Sequence, residues 1–195
     1  MDKISYALGL SIGNNFLGAG ITDLILSDFV KGMSDVMSGS KPEIDYEEAK
    51  KIIDKLFSDI QVKNSELNLK AGEEFLQINK HKAGVTELPS GLQYEVLVKG
   101  EGNQPRANDR VRCHYHGTLI NGVVFDSSIQ RGEPAVFKIR EVIAGWSEAL
   151  QLMNVGAKWR LFIPSSLAYG NRGAGDKIAP NSTLVFVVEL LDIIK

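Results

Sequence analysis

The spacing of apolar residues changes once along this 195-residue chain, near Val85, from a period of three to four to a period of two. A helix repeats its apolar face at i+3 and i+4, whereas a strand alternates faces at every residue. The single change therefore predicts an α+β protein: an all-α N-terminal region, then an antiparallel sheet with one short helix.

In the first region Ile4, Leu8, Ile12 and Phe16 form one stripe, with Gly9 and Gly13 one turn apart beside it. Thr22 or Asp23 is expected to cap a second helix with the stripe Ile25, Phe29, Met33, Val36 and Met37, ended by Gly39. Asp45 followed by Glu48 is a capping-box pattern that opens a third helix. Its stripe of Ile53, Phe57, Ile60, Leu67, Ala71, Phe75 and Ile78 carries it towards residue 82. The result is either one rod of about 55 Å at 1.5 Å per residue, or two helices broken near residues 62–64. So few short helices cannot build a deep core alone, so residues 1–60 are expected to form a homodimer. The expected division is a helical dimerisation domain over 1–60, a continuation of the long helix over 61–84, and a sheet domain over 85–195.

In the second region Leu92, Tyr94, Val96 and Val98 alternate with Gln93, Glu95 and Leu97. Val111, Cys113 and Tyr115 alternate in the same way with Arg112, His114 and His116. Asn121-Gly122 signals a two-residue hairpin. Residues 142–153 read as the one helix here, stopped by Gly156, and strands are expected over 158–163 and 184–194.

Composition removes several classes of function. A net charge of −2 lacks the basic excess of a nucleic-acid binder. One cysteine, Cys113, excludes an intrachain disulfide framework. No apolar run approaches the ~18 residues of a membrane helix, and the start lacks a basic n-region. The expected compartment is cytoplasmic, or periplasmic if a leader has been removed. His114 and His116 share a strand face but have no third ligand nearby, so a solvated face is expected rather than a metal site. The glycines at 170, 173 and 175 are not followed by the Lys-Ser/Thr pair of a phosphate loop. No cofactor is expected.

What remains is a concentration of aromatics, Tyr115, Phe125, Phe137, Trp146 and Tyr169, around one carboxylate, Asp126. Such a set suits binding and orienting an apolar group with a few hydrogen bonds. Composition alone also allows Trp146, Phe137 and Phe186 to be plain core, and Tyr115 to be either core or pocket wall. Asp126 either bonds its own turn through Ser127 and Ser128 or orients the pocket, paired with Arg131; we expect the second.

The stretches HYHGTLINGVVFDSS, VIAGWSEALQLMNVGAKWRLFIPSSLAYG and STLVFVVELLDI, in this order, closely resemble the FKBP-type peptidyl-prolyl isomerases. The region with YALGLSIGNNF, the DYEEAKK start and the long helix resembles the dimerisation arm of the macrophage-infectivity-potentiator subgroup. The resemblance implies a five- or six-stranded antiparallel half-barrel wrapped on the 142–153 helix. It implies acceleration of X–Pro isomerisation in proline-containing polypeptides, and binding of macrolide immunosuppressants. The residues it marks as catalytic are Tyr115, Phe125, Asp126, Ile143, Trp146 and Tyr169. Those it marks as substrate-binding are Phe137, Val142, Phe186, Ile178 and Arg131. Ala135 and Ala174 stand where many members carry an aromatic and a histidine. The competing readings are a peptide-holding chaperone with slow turnover, and a structural dimeriser.

Overall fold

The computed structural model describes residues 1–194, which divide into two compact units, the first Met1–Val62 and the second from Lys63 onward.

The first unit holds helices α1 (Lys3–Gly18) and α2 (Leu26–Ser38) and the opening of α3 (Tyr46–Asn79). Asp2 caps α1 by accepting from the Ser5 N–H at 2.8 Å. The expected cap of α2 is not made. The helix starts after Ile25 with no side-chain cap, while the Thr22 hydroxyl turns to Asp23. Gly39 ends α2 in the left-handed conformation, φ 70°, a position glycine occupies at no steric cost. Phe16 and Phe29 meet edge to face at 5.3 Å. Asp45 accepts from the Glu48 N–H at 2.7 Å, half of the expected capping box. From there α3 runs as one 34-residue helix to Asn79, without the break considered at 62–64 and short of residue 82.

The second unit is a seven-stranded antiparallel sheet, one or two strands more than expected. Its strands are β1 (Val85–Glu87), β2 (Gln93–Val98), β3 (Arg110–Leu119), β4 (Val124–Ser127), β5 (Ala135–Lys138), β6 (Lys158–Ile163) and β7 (Leu184–Ile194). The order is β1-β2-β6-β7-β3-β4, with β5 paired to β3. A short helix α4 (Ser128–Arg131) follows β4. Helix α5 (Ala144–Leu152) is shorter at both ends than the 142–153 reading. Its Trp146, Ala149 and Leu150 are buried with Val111, Cys113, Leu161, Ile163 and Val188 of the sheet. Gly145 lets α5 come down onto β6, because a Cβ there would lie 2.5 Å from Ile163 Cγ2. The hairpin from β3 to β4 has a three-residue loop rather than two. Only Gly122 has positive φ, 85°, and the Leu119 N–H donates to Val123 O.

The last turns of α3 cover the other face of the sheet. Gln93 is fully buried, donating to Leu76 O at 2.9 Å and accepting from Asn79 Nδ2 at 3.0 Å. Val96 and Val98 are exposed, on either side of a bulge in the β2–β6 register. Gly72 packs against Thr183, and Phe75 lies 6.0 Å from Phe162. Among the described residues no helix is long and apolar enough to cross a membrane.

Candidate functional site

A cavity of about 650 Å³ opens between α5 and the sheet. Tyr115 comes from the middle of β3, Phe125 and Asp126 from β4, Phe137 from β5 and Phe186 from β7. Val142 and Ile143 precede α5, Trp146 lies on its first turn, and Tyr169, Ala174 and Ile178 come from the loop between β6 and β7. Ten of the eleven residues marked in the sequence thus share one cup. The eleventh, Arg131, does not line it; it stands beside it at the end of α4.

The floor is aromatic. Tyr115, Phe137 and Phe186 surround Trp146 at 5.4, 5.4 and 5.2 Å, with ring planes 84°, 76° and 79° from its own. Phe125 meets Phe186 at 5.3 Å and 81°. Near-perpendicular pairs of this kind are favourable and hold each ring in one orientation. Gly117 makes the arrangement possible. A Cβ there would lie 2.7 Å from the rings of both Phe125 and Phe186, so the strand must be bare beneath them. The Trp146 Nε1–H is buried without an acceptor among the described residues, one unsatisfied donor in an otherwise apolar floor.

The polar side is a closed triangle. The Tyr115 hydroxyl donates to Asp126 Oδ2 at 2.5 Å and accepts from Arg131 Nη2 at 2.8 Å, while Arg131 Nη1 pairs with Asp126 Oδ1. Burial pulls the Asp126 carboxyl up, but the hydrogen bonds from Tyr115 and Arg131 and the guanidinium charge outweigh it. The carboxyl ends below its ordinary value. Burial, then the bond to Asp126, raises the Tyr115 phenol. Tyr115 therefore faces the cup with its ring, its hydroxyl already occupied. Ser127 caps α4 by accepting from the Gln130 N–H at 3.2 Å, and Ser128 accepts from the Tyr115 N–H at 2.7 Å. His114 and His116 bond these same two serines at 3.1 and 3.0 Å and are half-buried, so their face is not the solvated one expected. Cys113 is fully buried, and burial pushes its thiol up to about 12, which keeps it protonated and inert.

Besides the Trp146 Nε1–H, two donors are directed to no described residue. Ile143 is extended, φ −57° and ψ 149°. Its carbonyl accepts from the Trp146 and Ser147 N–H groups, while its own N–H has no acceptor among the described residues. The Tyr169 hydroxyl, on a residue 41% exposed, likewise makes no bond to a described residue. Glu141, Gly175, Asp176 and Lys177 also line the cup and were not marked in the sequence. The glycine-rich character of the 170–175 loop hinted at the last three only, and nothing in the sequence pointed to Glu141.

Comparisons with known proteins match both regions of the chain. Residues 101–191 match the family model described as FKBP-type peptidyl-prolyl cis-trans isomerase. Residues 1–96 match the model of the domain amino-terminal to it. The chain is 45% identical to the FKBP-type 22 kDa peptidyl-prolyl cis-trans isomerase of Escherichia coli K12, over 98% of this chain and 95% of that protein. It is 44% identical to a Legionella longbeachae protein named outer membrane protein MIP, over 100% of this chain and 86% of that one. The crystal structure of FkpA from Escherichia coli superposes with a TM-score of 0.77 at 34% identity, covering 98% of this chain and 95% of that one. With family models matched over residues 1–96 and 101–191, a 45% identical relative over 98% of the chain and an aromatic cup in the second matched region, the chain belongs to the FKBP-type peptidyl-prolyl cis-trans isomerases.

Proposed function

We propose that the cup isomerises X–Pro bonds by holding the proline ring on Trp146, walled by Tyr115, Phe125, Phe137 and Phe186, without any covalent step. Amide resonance gives the C–N bond partial double-bond character, so uncatalysed exchange takes tens to hundreds of seconds. The resonance form separates charge, which water stabilises and an apolar cup does not. Transfer into the cup therefore weakens the double bond and favours the twisted state. Rate acceleration further needs a group that binds the twisted imide better than either planar isomer. The Ile143 N–H and the Tyr169 hydroxyl, both directed to no described residue, are donors of that kind for substrate carbonyls. Val142 and Ile178 complete the apolar wall. Asp126 and Arg131 act through Tyr115, fixing its ring. Macrolides with an apolar ring would occupy the same cup.

The observation that carries this reading is the perpendicular packing of Tyr115, Phe137 and Phe186 around Trp146 in a cavity of about 650 Å³. The test is turnover of short proline peptides by Trp146→Leu and Phe125→Ala, with circular dichroism reporting the fold. Each is expected to lose at least about tenfold in kcat/KM, roughly 1.4 kcal/mol of transition-state stabilisation. Wild-type turnover in a folded variant would refute the assignment. A macrolide should protect wild-type protein from heat and protect Trp146→Leu less.

The N-terminal residues 1–60 are proposed to pair two copies of the chain, and residues 85–195 to carry the isomerase activity. In favour of the pairing, no residue of 1–62 is buried within one chain. Dimerisation would present two cups to one client polypeptide. The cytoplasmic expectation draws no support from the comparisons, where one relative is named an outer membrane protein.

A further inference from the structure

We propose that Lys177 is a specificity-determining residue of this cup, favouring polypeptides that carry an acidic side chain beside the reacting proline. The inference rests on the isomerase reading above and deepens it.

Lys177 sits at the tip of a small closed loop. The Ala174 N–H donates to Ile178 O at 2.8 Å and the Ile178 N–H returns to Ala174 O at 3.2 Å. The Ile178 side chain, 7% exposed, anchors this loop in the core. The two bonds leave Gly175, Asp176 and Lys177 as a short tip, with Gly175 at φ 51°, and all three line the cup. The Lys177 Nζ reaches across to Phe125 O at 3.3 Å. That bond fixes the ammonium at the rim, against the strand that supplies Phe125 to the wall.

The rim's other charges decide what this cation does. Asp126 is paired with Arg131, and Glu141 with Lys138 at 2.7 Å. Among the described residues no carboxylate lies within ion-pairing distance of Lys177 Nζ, whose single bond, to a carbonyl, uses one of its three donors. Asp176, the remaining rim anion, is exposed and makes no bond to a described residue, so nothing holds its charge at the wall as Phe125 O holds that of Lys177. A proline ring seated in the cup obliges its neighbouring residues to cross this rim. An acidic one gains an attraction there and a basic one meets repulsion.

Lys177 is exposed, so the expected effect is that of a solvent-screened pair, about 1.5- to 5-fold per charge. The experiment measures kcat/KM of the full chain for short peptides with Glu-Pro, Ala-Pro and Lys-Pro, each expressed relative to Ala-Pro. Lys177→Glu should lower the Glu-Pro to Lys-Pro ratio by roughly fivefold, and Lys177→Met by about half of that on a logarithmic scale. Both shifts should shrink in 1 M salt, where the Debye length is about 3 Å. If both variants change all three peptides by the same factor, Lys177 only holds the loop and the inference is overturned. A ratio that does not move, or moves without salt dependence, overturns it too. Wild-type protein inert on Ala-Pro would instead strike the isomerase reading itself and remove the basis of the inference.

Discussion

Residues 1–62 contain no buried residue, whereas the unit that follows buries Leu92, Val111, Leu161, Leu184 and Val188 completely. The contrast is not one of hydrophobicity. Ile4, Leu8, Leu17, Leu26, Val30, Val36 and Met37 are all more than half exposed in the first unit. A sheet curled over one helix closes its apolar face on itself, but two short helices and part of a third have only their edges to offer each other. Exposed apolar area of this extent on so few residues marks an interaction surface. One half of the molecule is thus closed within a single chain, and the other leaves its apolar surface open to the second copy proposed above.

The largest effect should come from breaking that pairing. Nothing lies within 4 Å of a Cβ built on Gly9 or Gly13, so leucine at both positions meets no obstacle inside one chain. Loss of the dimer in Gly9→Leu plus Gly13→Leu would therefore report a clash with a second copy. Two linked cups raise the local concentration of catalyst around a released client, a gain that needs no new contact. We expect the variant to sediment as a monomer, to retain short-peptide turnover, and to lose roughly tenfold or more in catalysed refolding of a proline-limited protein. Equal refolding by dimer and monomer would reduce the first unit to an appendage.

The boundary between the halves can be sharpened in the same way. The turns of α3 beyond residue 62 belong with the sheet: Gly72 on Thr183, Phe75 on Phe162, and Asn79 and Leu76 O on Gln93. A fragment of residues 63–195 keeps these contacts, and one of residues 85–195 loses them. It also leaves Gln93 without its partners on α3. The shorter fragment should be less stable by about 2–4 kcal/mol, as for removal of a large apolar side chain, and should melt roughly 10 °C lower. Coincident melting curves would show that the helix end contributes nothing to the sheet.

These contacts also explain which features the sequence reveals. Alternation tells which residues of a strand share a face but not what covers each face, so the burial of Gln93 beneath α3 cannot be read from it. Asp45 and Glu48 announce the start of α3 because a cap is local, whereas the stripe alone cannot tell one helix from two. Strand β5, four residues following Pro134, is too short to show a period. The aromatic cup was legible because its side chains are large and few. Gly117 was not, since its role is set by rings of Phe125 and Phe186 that approach it from other strands. Asp176 and Lys177 reach the rim through a loop closed by backbone bonds alone, which leave no mark in side-chain pattern.

The smallest effect concerns the triangle beside the cup. Asp126→Asn keeps the shape of the side chain but removes the charge that Arg131 faces, so a loss of only a few-fold in kcat/KM is expected. The pH dependence of that loss carries the information. The folded carboxyl lies below its ordinary value, despite burial, because of the bonds from Tyr115 and Arg131. A depressed carboxyl makes its contribution above the unfolded value of about 3.9 and loses it as pH falls through the folded one. The ratio of wild-type to Asp126→Asn turnover should therefore stay constant from about pH 5 to 8 and approach one only below about pH 4. A ratio that changes between pH 6 and 8 would mean that the carboxyl titrates there. The bonds to Tyr115 and Arg131 would then not be made in solution, and the ring of Tyr115 would have to be held by its aromatic neighbours alone.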